Sequence, residues 1–156
     1  MTAVGTAEAA PGETATGRLA IGEARDGSRV GLPVCVVNGA DDGPTVYVQA
    51  ASDGDELNGV GVLRDLVPRL DPDGLAGTVI AVGIVNLFGF QQAEHRNPID
   101  DTKLNRVYPG DAEGTSSERI AHATFEVAKR ADAVLDLHQG STSQMLEETR
   151  IRCGRH

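Results

Sequence analysis

Residues 45–59, Thr45-Val-Tyr-Val-Gln-Ala-Ala-Ser-Asp-Gly-Asp-Glu-Leu-Asn-Gly59, constrain the fold more than any other stretch of the chain. Val46, Tyr47 and Val48 are β-branched or aromatic, and Gly43-Pro44 punctuates their entry, so the segment opens as a strand. The apolar run ends at Ala50-Ala51-Ser52, and Asp53, Asp55 and Glu56 follow around Gly54. A helical pattern with Val60, Leu63, Val67 and Leu70 on one face comes next, expected over about Asp55 to Leu70. Strand, acidic turn and helix together place the carboxylates at the carboxyl end of a strand, where open α/β sheets bind their ligands.

The acidic turn supports two readings. In one, Asp53 or Asp55 caps the helix and Glu56 faces its positive end. In the other, Asp53 and Glu56 are an i, i+3 pair of metal ligands, with Gly54 allowing a tight backbone between them. Such short pairs are completed by a ligand from a distant strand. His138, at the end of Ala131-Asp-Ala-Val-Leu-Asp-Leu-His138, is the candidate third ligand. Asp136 lies two residues back on the same strand face, placed to orient the imidazole.

The remaining pattern is that of one α/β domain. Leu19–Ala24 and Val30–Val37 read as strands, with Pro33 implying an edge position for the second. The apolar run Thr78–Val85 reads as a strand buried on both faces, which makes strand, helix, strand a right-handed βαβ unit. Thr115-Ser-Ser-Glu118 has the form of a capping box. The helix it opens should turn Ile120, Ala121, Phe125 and Val127–Ala128 inward and end near Arg130. Residues 1–16, rich in Ala, Gly, Thr and Glu, are expected to be a flexible N-terminal arm, and residues 17–156 a single domain.

Charge and composition exclude some partners. Acidic side chains outnumber Lys plus Arg by 23 to 14, and only Lys103 and Lys129 are lysines, so no basic stripe offers itself to nucleic acid. No apolar run approaches the roughly 20 residues that cross a bilayer, so no membrane partner is expected. No basic residue precedes Arg18 and no long apolar stretch opens the chain, against a secretory signal and for a cytoplasmic location. Cys35 falls inside a strand pattern, and neither it nor Cys153 has metal-type spacing.

Taken in order, Asp53-Gly-Asp-Glu-Leu-Asn-Gly59, Asn86-Leu-Phe-Gly-Phe90, Arg96-Asn-Pro98, Leu104-Asn-Arg-Val-Tyr-Pro-Gly110 and Asp136-Leu-His-Gln-Gly-Ser141 resemble the succinylglutamate desuccinylase/aspartoacylase family of the zinc-carboxypeptidase clan. The resemblance runs from about Gly17 to Ser141. It implies a mixed sheet with helices on both faces, forming the N-terminal part of the family's domain and cut short at its C-terminus. It also implies a metal-dependent hydrolase that uses metal-bound water to remove an acyl group from an N-acyl amino acid or a similar small carboxylate.

Carried over residue by residue, Glu56 and His138 match family zinc ligands, whereas Asp53 stands where the family has His. The expected cofactor is one zinc ion, with manganese or magnesium admitted by the harder oxygen of Asp53. Asn105-Arg106 match the pair that grips a substrate carboxylate. Arg96 is the candidate for a second, oxyanion-stabilising arginine, with His95 the alternative at that position. Lys103 departs from the family's acidic residue before Leu-Asn-Arg. The family's general-base Glu lies well beyond the second histidine, whereas this chain stops 18 residues after His138, so no catalytic base is assigned. Glu147 and Glu148 stand too close to His138 for that role. The rival expectation is a non-catalytic remnant or carboxylate-binding module, with self-association through an uncovered sheet edge.

Overall fold

The computed structural model describes residues 1–140, and the elements below belong to that range. The first five elements are all strands, two of three residues each and then three longer ones that enter the main sheet. They are β1 (Thr2–Val4), β2 (Ala7–Ala9), β3 (Glu13–Glu23), β4 (Arg29–Asn38) and β5 (Asp41–Ala50). Helix α1 (Asn58–Leu66), β6 (Ala76–Val82), α2 (Leu87–Gln92), α3 (Ser116–Ala128) and β7 (Ala133–Leu137) follow. The five-stranded sheet has the order β3-β4-β6-β5-β7. β3, β4 and β6 pair antiparallel, while β5 runs parallel to both β6 and β7.

This order puts β5 at a switch point. The connection through α1 leads to β6 on one side of β5, and the connection through α2 and α3 returns to β7 on the other. A crevice opens where successive crossovers diverge, outside the carboxyl ends of those strands. Asp53 and Glu56 follow β5, and His138 follows β7, so both borders of the crevice carry chemistry.

Alternation along the strands fills both faces. Val34, Val36, Tyr47, Ile80 and Val82 pack with Ile120 and Val127 of α3 on one side. Val48 and Ala81 pack with Leu63 of α1 on the other, with Val46, Val60, Val67 and Val79 against them. The helices therefore lie on both faces of a mixed sheet, as expected. The Thr115 hydroxyl accepts from the Glu118 N–H and the Glu118 carboxylate accepts from the Thr115 N–H, so the capping box forms as read. Phe125 is a correction: it is exposed, and Thr124 is the fully buried residue in that turn.

The flexible arm expected over residues 1–16 is a second correction. β1 and β2 form an antiparallel hairpin, and β3 already begins at Glu13. Val4, Ala7 and Ala9 are buried in the main core. The hairpin sits so close that a Cβ on Gly17 would lie 2.3 Å from the Ala7 nitrogen. Small residues that look uninformative in a sequence are here what lets two backbones touch.

Two boundaries also shift for local reasons. β4 is an internal strand, yet its ladder with β6 spans only Cys35–Asn38. Pro33 lies beyond that ladder, so its missing N–H costs no bond on that side. The long helix expected to Leu70 ends at Leu66, and Pro68 falls in the tighter turn Val67–Arg69.

β7 is the outer strand of the sheet among the described residues, and its Val134 and Leu135 remain 44% and 46% exposed. An apolar outer strand offers unpaired backbone groups to another chain. The protein is expected to self-associate in a concentration-dependent way and to bind a hydrophobic dye. Sedimentation that shows a monomer at all concentrations, with no dye fluorescence, would contradict this.

Candidate metal centre

The backbone delivers the acidic turn into the crevice with some strain. Ala51 takes a left-handed conformation, φ +52°, which costs an L-residue on the order of 1 kcal/mol. Its carbonyl accepts the Asn86 N–H at 2.8 Å, which ties the turn to the end of β6. Asn86 in turn caps α2 by accepting the Gly89 N–H at 3.0 Å. Gly54 lies under that helix so tightly that a Cβ would meet Phe90 N and Glu94 O at 2.5 Å. The Gly54 N–H donates to the His95 carbonyl, and this close approach brings His95 over the turn.

Asp53, Asp55 and Glu56 are 2%, 5% and 5% exposed. They do not cap α1: its N-cap is Leu57, with no side-chain cap, and its first turn holds no acid. The cap comes instead from across the crevice, where Gln139 Oε1 accepts the Asn58 N–H at 2.6 Å. Of the two readings of the turn, the capping one is therefore overturned.

Each buried carboxylate faces nitrogen donors. Glu56 Oε2 accepts from His138 Nδ1 at 2.8 Å and from the Gln139 N–H at 3.0 Å. Asp53 Oδ2 lies 3.5 Å from His138 Nδ1, 3.6 Å from Lys103 Nζ and 3.5 Å from Asn105 Nδ2. Asp55 Oδ1 pairs with His95 Nδ1 at 2.9 Å. The structure thus brings Asp53, Glu56 and His138 together, as their spacing suggested. Among the described residues, the group of three whose ligand atoms all lie within 4.8 Å of one another is Asp53, Glu56 and His95, the imidazole coming from the segment after α2 and not from His138.

A buried polar chain stands behind His138. The Tyr47 hydroxyl donates to Gln49 Oε1, the Gln49 amide to Ser52 Oγ, and Ser52 Oγ to Asp136. Asp136 Oδ2 then meets His138 Nε2 at 3.1 Å. This fixes the ring through its second nitrogen, the arrangement that orients ligand histidines in metal sites.

The other sequence candidates are placed as follows. Asn105 joins the cluster through Asp53, and its Oδ1 is buried without a hydrogen-bond partner. Arg106 is exposed, and the hydrogen bond its guanidinium makes is to the Asn105 carbonyl, at 3.4 Å. Arg96 turns outward, donating to the Asp101 carbonyl at 2.6 Å, and is not brought into the cluster. His95, the alternative at that position, is. Asn97 is fully buried and donates to Ser116 and Ser117, so it anchors the loop to the start of α3. Glu147, Glu148 and Cys153 lie outside the described residues.

The donors fit a divalent cation. Asp53 Oδ1 is buried and has no hydrogen-bond partner. His95 Nε2 stands 3.4 Å away without hydrogen-bond geometry. Two buried carboxylates and an imidazole form a mixed oxygen and nitrogen set suited to zinc or manganese. Burial pushes the Asp53 carboxyl up, but the hydrogen bond from His138 and the positive charges of Lys103 and His138 outweigh it and hold the group below the usual carboxylate value.

The chain belongs to the succinylglutamate desuccinylase/aspartoacylase family: residues 42–156 match the family's catalytic domain. It is 37% identical over 110 residues to the N-alpha-acetyl-L-2,4-diaminobutyric acid deacetylase of Halomonas elongata, covering 70% of this chain and 32% of that one. Its structure is similar to that of a succinylglutamate desuccinylase/aspartoacylase from Rhodobacter sphaeroides, with TM-score 0.76 and 32% identity over 82% of this chain and 40% of the other. A metallo-carboxypeptidase from Pseudomonas aeruginosa shares the fold at 21% identity, TM-score 0.60, over 80% of this chain and 35% of its own. The chain thus spans about a third of the curated relative. The zinc-carboxypeptidase-like fold expected from the motifs is the one observed. No helix among the described residues is long and apolar enough to cross a membrane.

The hydrogen bonds to Asp136 and Asp53, opposed by burial and aided by the Asp136 charge and a bond to Glu56, raise the His138 ring from 6.5 to about 11. A raised value means that the pairing stabilises the metal-free fold fully below about 6.5, and that this contribution is lost as pH rises through about 11. NMR of the His138 ring without metal should therefore show no titration around neutrality. Asp136→Asn should lower its pKa by roughly a unit or more, since the largest support is removed. A wild-type ring that titrates near 6.5 would contradict the pairing.

Proposed function

We propose that this chain carries the metal-holding part of a deacylase that removes an acyl group from an N-acyl amino acid or a similar small carboxylate. The observation that carries this reading is the meeting of Asp53, Glu56 and His138 at the ends of two adjacent parallel strands, beside Asn105-Arg106. Asp53 and Glu56 would hold one zinc ion, or manganese, with His138 or His95 as the imidazole ligand. When bound, that cation supplies polarisation of the acyl oxygen and activation of water.

The remaining roles fall to the chain's own side chains. Asp136 holds the His138 ring in place. Arg106, an exposed guanidinium, takes the substrate carboxylate in a two-point pair. Asn105, whose Nδ2 lies 3.5 Å from Asp53 Oδ2, would set Arg106 beside the cluster as the other member of the carboxylate-gripping pair. The deacetylase relative acts on an N-acetylated amino acid, which presents such a carboxylate. Family membership supports the reaction class, and the cytoplasm, with its small acylated metabolites, is the proposed location.

A second reading has its own support. Lys103 Nζ already stands between Asp53 and His95. On that reading the chain is a carboxylate-binding module that grips its ligand through Arg106 without turning it over.

Two measurements separate and test these. A panel of N-acyl amino acids should be hydrolysed when zinc or manganese is supplied, and a chelator should stop it. Arg106→Ala should weaken substrate recognition by roughly 10- to 100-fold, the scale of hydrogen bonds to charged groups. Carboxylate binding that Arg106→Ala abolishes, with no hydrolysis under any metal, would instead establish the binding module. For the ligand set, Asp53→His should raise zinc affinity by about tenfold or more in calorimetry, the scale on which changes around a bound metal act. Equal affinity would remove Asp53 from the site.

A further inference from the structure

Lys103 contacts two groups of the candidate metal cluster. Its Nζ is 2.6 Å from His95 Nε2 and 3.6 Å from Asp53 Oδ2. The proton positions on His95 follow from its partners. Asp55 can only accept, so Nδ1 carries the hydrogen, and Lys103 can only donate, so Nε2 offers its lone pair. The lone pair that a metal would need on His95 is therefore engaged by the lysine. Asp53 shares the same positive neighbour, and its other oxygen has no hydrogen bond at all.

Resting on the metal-site reading above, we propose that the Lys103 ammonium is a tethered occupant of the cation position, which a divalent metal must displace in order to bind. A divalent metal and the ammonium cannot share these ligands: the ammonium offsets the carboxylate's charge and repels the doubly charged ion at a few ångströms. Lys103 can also leave. It sits in the turn preceding Leu104–Arg106, its side chain is 27% exposed, and four flexible methylenes carry the charge. In the metal-free protein it offsets the burial of Asp53. In the metal-bound protein it swings toward solvent, beside the Asn105-Arg106 pair, where it adds positive charge on the carboxylate-binding side.

The test measures metal binding and the lysine itself, independently of turnover. Lys103→Met keeps the stem and removes the charge, and Lys103→Arg keeps the charge. By calorimetry, Lys103→Met should bind Mn²⁺ and Zn²⁺ about tenfold or more tightly than wild type, in the range by which residues around a site alter affinity. Lys103→Arg should stay near wild type. The metal-free Lys103→Met protein should melt at a lower temperature, and metal should raise its Tm more than that of wild type.

The wild-type chain provides a check that needs no variant. Lys103 and Lys129 are its only lysines, so ¹³C-lysine NMR resolves both. Saturating Zn²⁺ should move the Lys103 ε-carbon resonance and leave Lys129 in place. Equal metal affinity in wild type and Lys103→Met, lost in Glu56→Gln, would overturn the displacement while leaving the metal site standing. A Lys103 resonance unmoved by bound zinc would overturn it as well. Failure of both proteins to bind metal would overturn the proposal and the metal-site reading together.

Discussion

Three carboxylates buried within four consecutive positions are costly unless positive charge or hydrogen-bond donors reach them. The structure answers that demand from three directions. His138 and the Gln139 N–H come from the end of β7, His95 from the segment after α2, and Lys103 from the turn that leads to Asn105. These contacts span 40 to 83 residues of sequence, so the acidic turn is also a point at which the domain is tied together. Removing one donor leaves a buried charge exposed to its neighbours' repulsion. Supplying a divalent cation satisfies the same carboxylates at once.

The geometry that makes this meeting happen is set by backbone, more than by the charged groups themselves. The diverging crossovers on either side of β5 put the ends of β5 and β7 next to each other. The left-handed Ala51 turns the chain out of the sheet, and Gly54 lets α2 and its following loop settle directly on the turn. Local strain held by surrounding structure is common where a site must be pre-shaped. Here the strain lies two residues before the first candidate ligand.

Much of this was legible in the amino-acid pattern. The strand through Tyr47, the acidic turn, the Thr115 capping box and the link between Glu56 and His138 rest on local chemistry or on motif order, and both are visible in a linear sequence. His95 and Lys103 were harder to place. They lie in an irregular segment without period, and their positions depend on how tightly Gly54 admits that segment. Their signal was present as departures from the family pattern around Arg96-Asn-Pro98 and Leu104-Asn-Arg106. The N-terminal hairpin was hidden for a different reason: Ala7 and Ala9 bury fully while contributing almost no hydrophobic signal. Long-range capping of α1 by Gln139 could not be read from sequence, because the acceptor sits 81 residues from the N–H it satisfies.

Cation occupancy of the acidic turn is the point on which fold, site and proposed chemistry converge, and anomalous diffraction from crystals soaked in Mn²⁺ addresses it most directly. A single anomalous peak bounded by Asp53, Glu56 and His138, with Lys103 Nζ moved away from His95 Nε2, is the predicted result. Density with no peak at the turn, and Lys103 still bonded to His95 at saturating manganese, would contradict a metal centre and mark the lysine as the permanent counter-charge of a binding module.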